Sequence, residues 1–128
     1  MALQQKLHIK KLLELYPECN PFENQVWGAW VLSKEEVWKC VKNSRFYETP
    51  TRCGFTKLQH TQRVAWLVVS GWDDPIYIDV GVPAACCYPD NLVEDGNHRL
   101  AAAILRGDEF ISVECSGDEE LIDEIVGM

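Results

Sequence analysis

Between residues 92 and 107 the chain changes character within a single turn: Leu92-Val93-Glu94-Asp95-Gly96-Asn97-His98-Arg99-Leu100-Ala101-Ala102-Ala103-Ile104-Leu105-Arg106-Gly107. A short apolar run ends in Asp-Gly, an alanine-bearing segment follows at once, and a glycine stops it. The stretch therefore reads as strand, tight turn and helix. Any fold that accommodates it must join a strand end directly to a helix N-terminus. Gly96 permits close backbone approach, the first helical amides lack helical partners at the positive end of the dipole, and His98 and Arg99 add side-chain donors. Such an arrangement suits a phosphate group.

The surrounding chain is large enough to support that unit. Its 128 residues, 47% of them hydrophobic, can bury one core without metals or disulfides, so residues 1–128 are expected to form a single domain. Six cysteines occur, at 19, 40, 53, 86, 87 and 115, but no Cys-x-x-Cys spacing does, which points to a reducing compartment rather than a disulfide framework or a zinc site. Lys6, Lys10 and Lys11 interrupt the first apolar segment, and no apolar run reaches membrane length. The expectation is a soluble, cytoplasmic protein. Net charge is −8, and its distribution is uneven: no Lys or Arg follows Arg106, whereas eight acids lie between Asp108 and Glu124. The rest balances, with twelve basic residues against twelve acidic ones. An acidic end of this kind reads as a solvated helix face or a partner-binding surface. Without a cluster of Lys and Arg to neutralise phosphates, the chain is not expected to bind nucleic acid.

Along the chain, Leu3, Leu7, Ile9, Leu12, Leu13 and Tyr16 predict one amphipathic helix over residues 2–16, broken by Pro17 and Asn20-Pro21. Val26–Leu32 reads as a buried strand or turn, and Ser33-x-x-Glu36 as a capping box opening a helix to about Val41. Thr56-x-x-Gln59 opens a third helix that Gly71 closes. Period-two alternation predicts a strand over Pro75–Val80, a loop over Gly81–Asp90, a short strand over Asn91–Glu94 and another over Phe110–Cys115. The strand, helix and strand of residues 91–115 are expected to form a crossover with parallel strands. An acidic helix capped by Ser116 or Asp118 ends the chain, and the five tryptophans (27, 30, 38, 66, 72) are expected mostly in the core.

A helix ending at Gly71, then Asp74-Pro75-Ile76-Tyr77-Ile78, a strand into Asp95-Gly96-Asn97-His98-Arg99, an alanine-bearing helix, Gly107 and a last strand resemble the ParB/sulfiredoxin superfamily over about Thr56–Cys115. The resemblance implies an α+β fold, a small mixed sheet with packed helices over residues 56–117; it does not account for residues 1–55, which the sequence patterns make a mainly helical extension, and the acidic helix over 118–128 follows. The resemblance implies further that Gly96, Asn97, His98 and Arg99 cradle the phosphates of ATP or CTP, and that the helix carrying His60 and Arg63 borders the nucleotide. Departures from the family pattern narrow the activity. Sulfiredoxins place a reactive cysteine where Asn97 stands, so sulfinic-acid repair by that route lacks its sulfur. Chromosome-partitioning members have a second arginine at the position of His98 and a following DNA-binding domain for which this length leaves no room. A free serine kinase branch has Asp-Gly-His-Thr-Arg, which Asp95, Gly96 and Arg99 match while Asn97 and His98 do not.

Each candidate residue also has an ordinary structural reading. Arg99 in a first helical turn opposes the dipole at about 0.3–1 kcal/mol, which an anion, or a salt bridge to Glu94 or Asp95, would offset. His98 is read as a phosphate donor, a proton carrier or a turn cap. Asp95 is a common turn residue, or together with Glu94 a Mg²⁺ ligand or catalytic base. Asp79 projects from the polar side of its strand as a further pocket candidate. His60 and Arg63 share a helix face that is either solvated or ligand-facing. Trp72 is placed to stack on a base, and the thiols of Cys86 and Cys87 are expected to be protonated and inert. Two functions compete: nucleotide binding with Mg²⁺-dependent hydrolysis or phosphoryl transfer, and a non-catalytic inhibitor or adaptor that engages a protein partner. A DNA-processing nuclease ranks below both.

Overall fold

A computed structural model describes residues 4–28, 30–49, 55–86 and 92–126 of the chain. Cys53, Cys87, Pro89 and the expected strand start at Asn91 lie outside them. The architecture is α+β: four strands form one open mixed sheet, with α-helices packed against it. In chain order these are β1 (Gln4–His8), α1 (Ile9–Leu15), α2 (Lys34–Lys42), α3 (Lys57–Ser70), β2 (Ile76–Asp79), β3 (Val93–Asp95), α4 (Asn97–Arg106), β4 (Phe110–Ser116) and α5 (Glu119–Val126).

Local chemistry explains most helix ends. The Thr56 hydroxyl accepts from the Gln59 amide while the Gln59 side chain accepts from the Thr56 amide, which closes a reciprocal capping box on α3. At α2 the Ser33 hydroxyl accepts from the Glu36 amide at 3.3 Å. Asp118 begins α5 by accepting from the Glu120 amide at 2.8 Å. Gly107, in the left-handed region at φ 75°, ends α4.

The N-terminal segment departs from the expected single helix. Gln4–His8 is a strand paired antiparallel with β4, Leu7 opposite Ile111, and the helix begins only at Ile9. The open edge of β4 supplies backbone partners that a helix over Gln4–His8 would leave unmet. Residues before 56 thus contribute a sheet strand, β1, alongside the helices α1 and α2. Residues 26–28 form a turn and residues 30–32 run without regular structure, so no strand forms among the described residues of 26–32.

Sheet order is β1-β4-β2-β3. The expected parallel pairing of the strands on either side of α4 does not occur. β3 lies antiparallel to β2, while β2 and β4 are the parallel pair, Ile78 beside Cys115. A three-residue β3 offers too little of itself to capture β4, so the chain returns through α4 to the far edge of β2.

Two apolar layers result. Leu7, Leu12, Ile76, Ile78, Leu100, Ile111, Val113 and Ile125 fill the space between sheet and helices. Leu32, Val37, Val64, Ala65, Leu67, Ala101 and Ala102 join α2, α3 and α4. The alanines of α4 thus have a packing function, allowing this helix to lie closely between two layers. Trp38, expected in the core, stands on the outer side of α2 with 44% of its surface exposed. Leu7 is fully buried in the first layer, so Leu7→Ala should lower stability by about 2–5 kcal/mol in urea denaturation; a cost below 0.5 kcal/mol would contradict β1 as a core strand.

Candidate functional site

The Asp-Gly turn places its residues along one cleft of about 290 Å³ between α3 and the start of α4. Arg63, Trp72, Asp74, Asp95, Gly96, His98 and Arg99 border it. Gly96 adopts φ +111°, and a Cβ there would lie 2.7 Å from the Ile76 Cβ. Glycine is thus required by contact with β2 as well as by backbone sign. No side chain caps α4, so the leading amides of that helix have no side-chain acceptor.

Arg99 is largely committed within the chain. Its Nη1 donates to the carbonyls of Asp74 at 3.0 Å and Pro75 at 2.8 Å, and its Nη2 lies 3.2 Å from Asp95 Oδ2. Two carbonyls and a carboxylate therefore offset the charge that a first-turn cation places against the helix dipole. In this arrangement Arg99 ties α4 to the entry of β2. Arg63, from α3, donates to the Glu48 carbonyl and faces the same cleft. Burial, and then the neighbouring Arg99 charge, lower its pKa, as expected where two guanidiniums converge.

His98 and His60 form a pair. Nδ1 of His60 and Nε2 of His98 are 2.7 Å apart, and the rings lie within 8° of parallel. Trp27 stacks on both, with centroids 4.5 Å from His98 and 4.9 Å from His60; Trp30 and Phe55 lie against His60. One ring must donate and the other accept, so the pair holds together in its neutral form. Burial above all, then His60, Arg63 and Arg99, hold His98 down to about 3, and burial lowers His60 as well. His98 at neutral pH is accordingly a neutral hydrogen-bonding group rather than a proton carrier.

The remaining candidates fall elsewhere. Asp79 accepts from the Gly81 amide at 2.8 Å, three residues along β2 from the contact with Gly96, and does not line the cleft. Glu94 is exposed on β3 and is likewise absent from the lining. Asn97 turns to a separate hollow of about 240 Å³ beside Asn24 and Gln25. His60 reaches the cleft only through His98. Trp72 borders it, with the Arg106 guanidinium 4.9 Å above its ring. Cys86 is an exposed free thiol. Nothing in the spacing of Trp27, His60 and His98 pointed to their stacking, since they come from three distant segments.

Among the described residues, no group of three or more His, Cys, Asp or Glu is arranged to hold a metal ion. With Asp95 engaged by Arg99 and Glu94 outside the cleft, these residues do not fit a resident Mg²⁺. No helix among the described residues is long and apolar enough to cross a membrane. No family model, curated protein or solved structure matches the chain.

The histidine pair carries a pH dependence whose sign is fixed. Folded-state values lie below the ordinary 6.5, so the unfolded chain takes up protons first as pH falls. The pair's contribution is complete above about pH 6.5 and is lost progressively toward pH 3. Between pH 7 and 5, before most carboxylates titrate, the urea midpoint should fall in the native chain and flatten in His60→Gln/His98→Gln. Equal slopes in the two proteins would refute the buried neutral pair. Gly96→Ala should cost about 2–4 kcal/mol, combining overpacking against Ile76 with the positive φ.

Proposed function

We propose that this chain is a phosphate-recognition module that binds a nucleotide, ATP or CTP, through its phosphates in the cleft between α3 and α4, in the manner of the ParB/sulfiredoxin superfamily that its Asp95–Arg99 segment resembles. The observation that carries this reading is the convergence of Arg63, the Arg99-braced turn and the uncapped amides after Gly96 on one cavity. Phosphate oxygens would accept from those amides and from Arg63, with the neutral His98 at the same wall. At about 290 Å³ the cleft sits at the lower end of ligand sites, which suits a phosphate group and part of a sugar, with the rest of the ligand in solvent. Trp72 borders the opening, one face already taken by Arg106.

Binding is the part of the reading with structural support. Hydrolysis or phosphoryl transfer would require Asp95 to leave Arg99. The free thiols of Cys19, Cys40, Cys86 and Cys115 support a reducing, cytoplasmic setting.

An adaptor function is the second reading, supported by α5. Its buried Ile125 faces the sheet layer, while Glu119, Glu120, Asp123 and Glu124 are exposed without a single cation on the helix. Charge-neutralising substitutions of these four residues test it better than deletion, which would strip Ile125 from the core.

For the cleft, Arg63→Gln is a cleaner probe than any change at Arg99, whose loss would also untie α4. Calorimetric titration with ATP, CTP and pyrophosphate should give binding that Arg63→Gln weakens about tenfold, near 1.4 kcal/mol. Identical affinities for native and variant protein, or no heat from any of the three ligands, would overturn the assignment.

A further inference from the structure

A second cavity, larger than the cleft, opens between α2 and the first turn of α3, with a volume of about 590 Å³. Its rim gathers Lys39, Arg45 and Lys57 against one carboxylate, Glu36, which lies 4.0 Å from Lys57. Three cations against one anion leave a net +2 in a chain whose total is −8. The imbalance has a local source: between residues 34 and 57 the sequence has six Lys and Arg and only three acids. A concave site with one sign of charge concentrates the field on counter-ions.

The wall and floor add a second preference. Leu58 stands on the cavity wall with 58% of its surface exposed, more than any other large apolar side chain among the described residues. Cys40 lies below it, 7% exposed. Burial holds the Cys40 thiol above its ordinary range, so at neutral pH it presents mainly apolar surface and alkylates slowly. The volume falls within the range of small-molecule sites.

We propose that this cavity binds a small amphipathic organic anion, its carboxylate or phosphate head against Lys39, Arg45 and Lys57 and its apolar body along Leu58 above Cys40. Both halves are needed: the cations alone would hold any anion loosely in water, and Leu58 alone would hold any oil. The site is separate from the α3–α4 cleft, shares no lining residue with it, and stands independently of the nucleotide reading.

The test uses the full chain with octanoate, octyl phosphate and octanol as probes. Binding is followed by calorimetry, and the rate of Cys40 alkylation by N-ethylmaleimide is followed by peptide mapping. At least one anion should bind and slow Cys40 alkylation fivefold or more, while octanol at the same concentration should not. Protection by octanoate alone assigns a carboxylate head, and by octyl phosphate alone a phosphate head. Lys39→Gln/Arg45→Gln changes two exposed side chains, so its urea midpoint should match the native one while its anion affinity falls at least tenfold. Equal protection by octanol, unchanged affinity in the double variant, or no protection by either anion would overturn the proposal.

Discussion

The close burial of α4 between two layers is the constraint on which the rest of the structure depends. Leu100 and Ala103 face the sheet while Ala101 and Ala102 face α3, and all four are inaccessible to solvent. A helix packed on both sides cannot accept large side chains without pushing its neighbours apart, and interiors at crystal-like density yield little. The run Ala101-Ala102-Ala103 meets that demand. At its head, Gly96 meets the related one of letting the chain turn against Ile76. The position of α4 then fixes the cleft, because its first turn forms one wall and α3 the other.

Arg99 belongs to the same construction. A cation in the first turn of a helix needs an anion or strong acceptors nearby, and the Asp74 and Pro75 carbonyls together with Asp95 provide them. The guanidinium therefore braces the turn whether or not a ligand is bound. An incoming phosphate meets a preformed wall, and Arg63, which donates to the Glu48 carbonyl, is the less committed of the two guanidiniums bordering the cleft. Preorganisation of this kind reduces the ordering a ligand must impose.

What could be read from the sequence follows from how local each cause is. The Thr56–Gln59 box, the stop at Gly107 and the turn at Gly96 act within a few residues, and α3 and α4 run as those cues indicate. β1 was not legible, because Gln4–His8 is a strand only by virtue of β4 beside it, and one apolar residue in five carries no period. Nor was the sheet order, since β3 contributes only three residues and the path of α4 carries β4 past it to the other side of β2. At the cleft, the segment from Asp95 to Arg99 announced a helix-start turn, but alternation along β2 could not say that Asp79 bends back to its own Gly81 amide. The basic cavity was hidden for a similar reason: Lys39, Arg45 and Lys57 are scattered in sequence and meet only when α2 lies on α3.

The His60–His98 pair links the core to the cleft through its protons. With Nδ1 of His60 facing Nε2 of His98, a single hydrogen occupies the gap, and its owner fixes both tautomers. If it sits on His60, His98 carries its other proton on Nδ1 and becomes a donor; if it sits on His98, that Nδ1 presents a lone pair. Protonating both rings would place two more positive charges beside Arg63 and Arg99 inside a wall of Trp27, Trp30 and Phe55, which burial and repulsion alike oppose. Neutrality thus lets an imidazole stand next to two guanidiniums without adding to their repulsion.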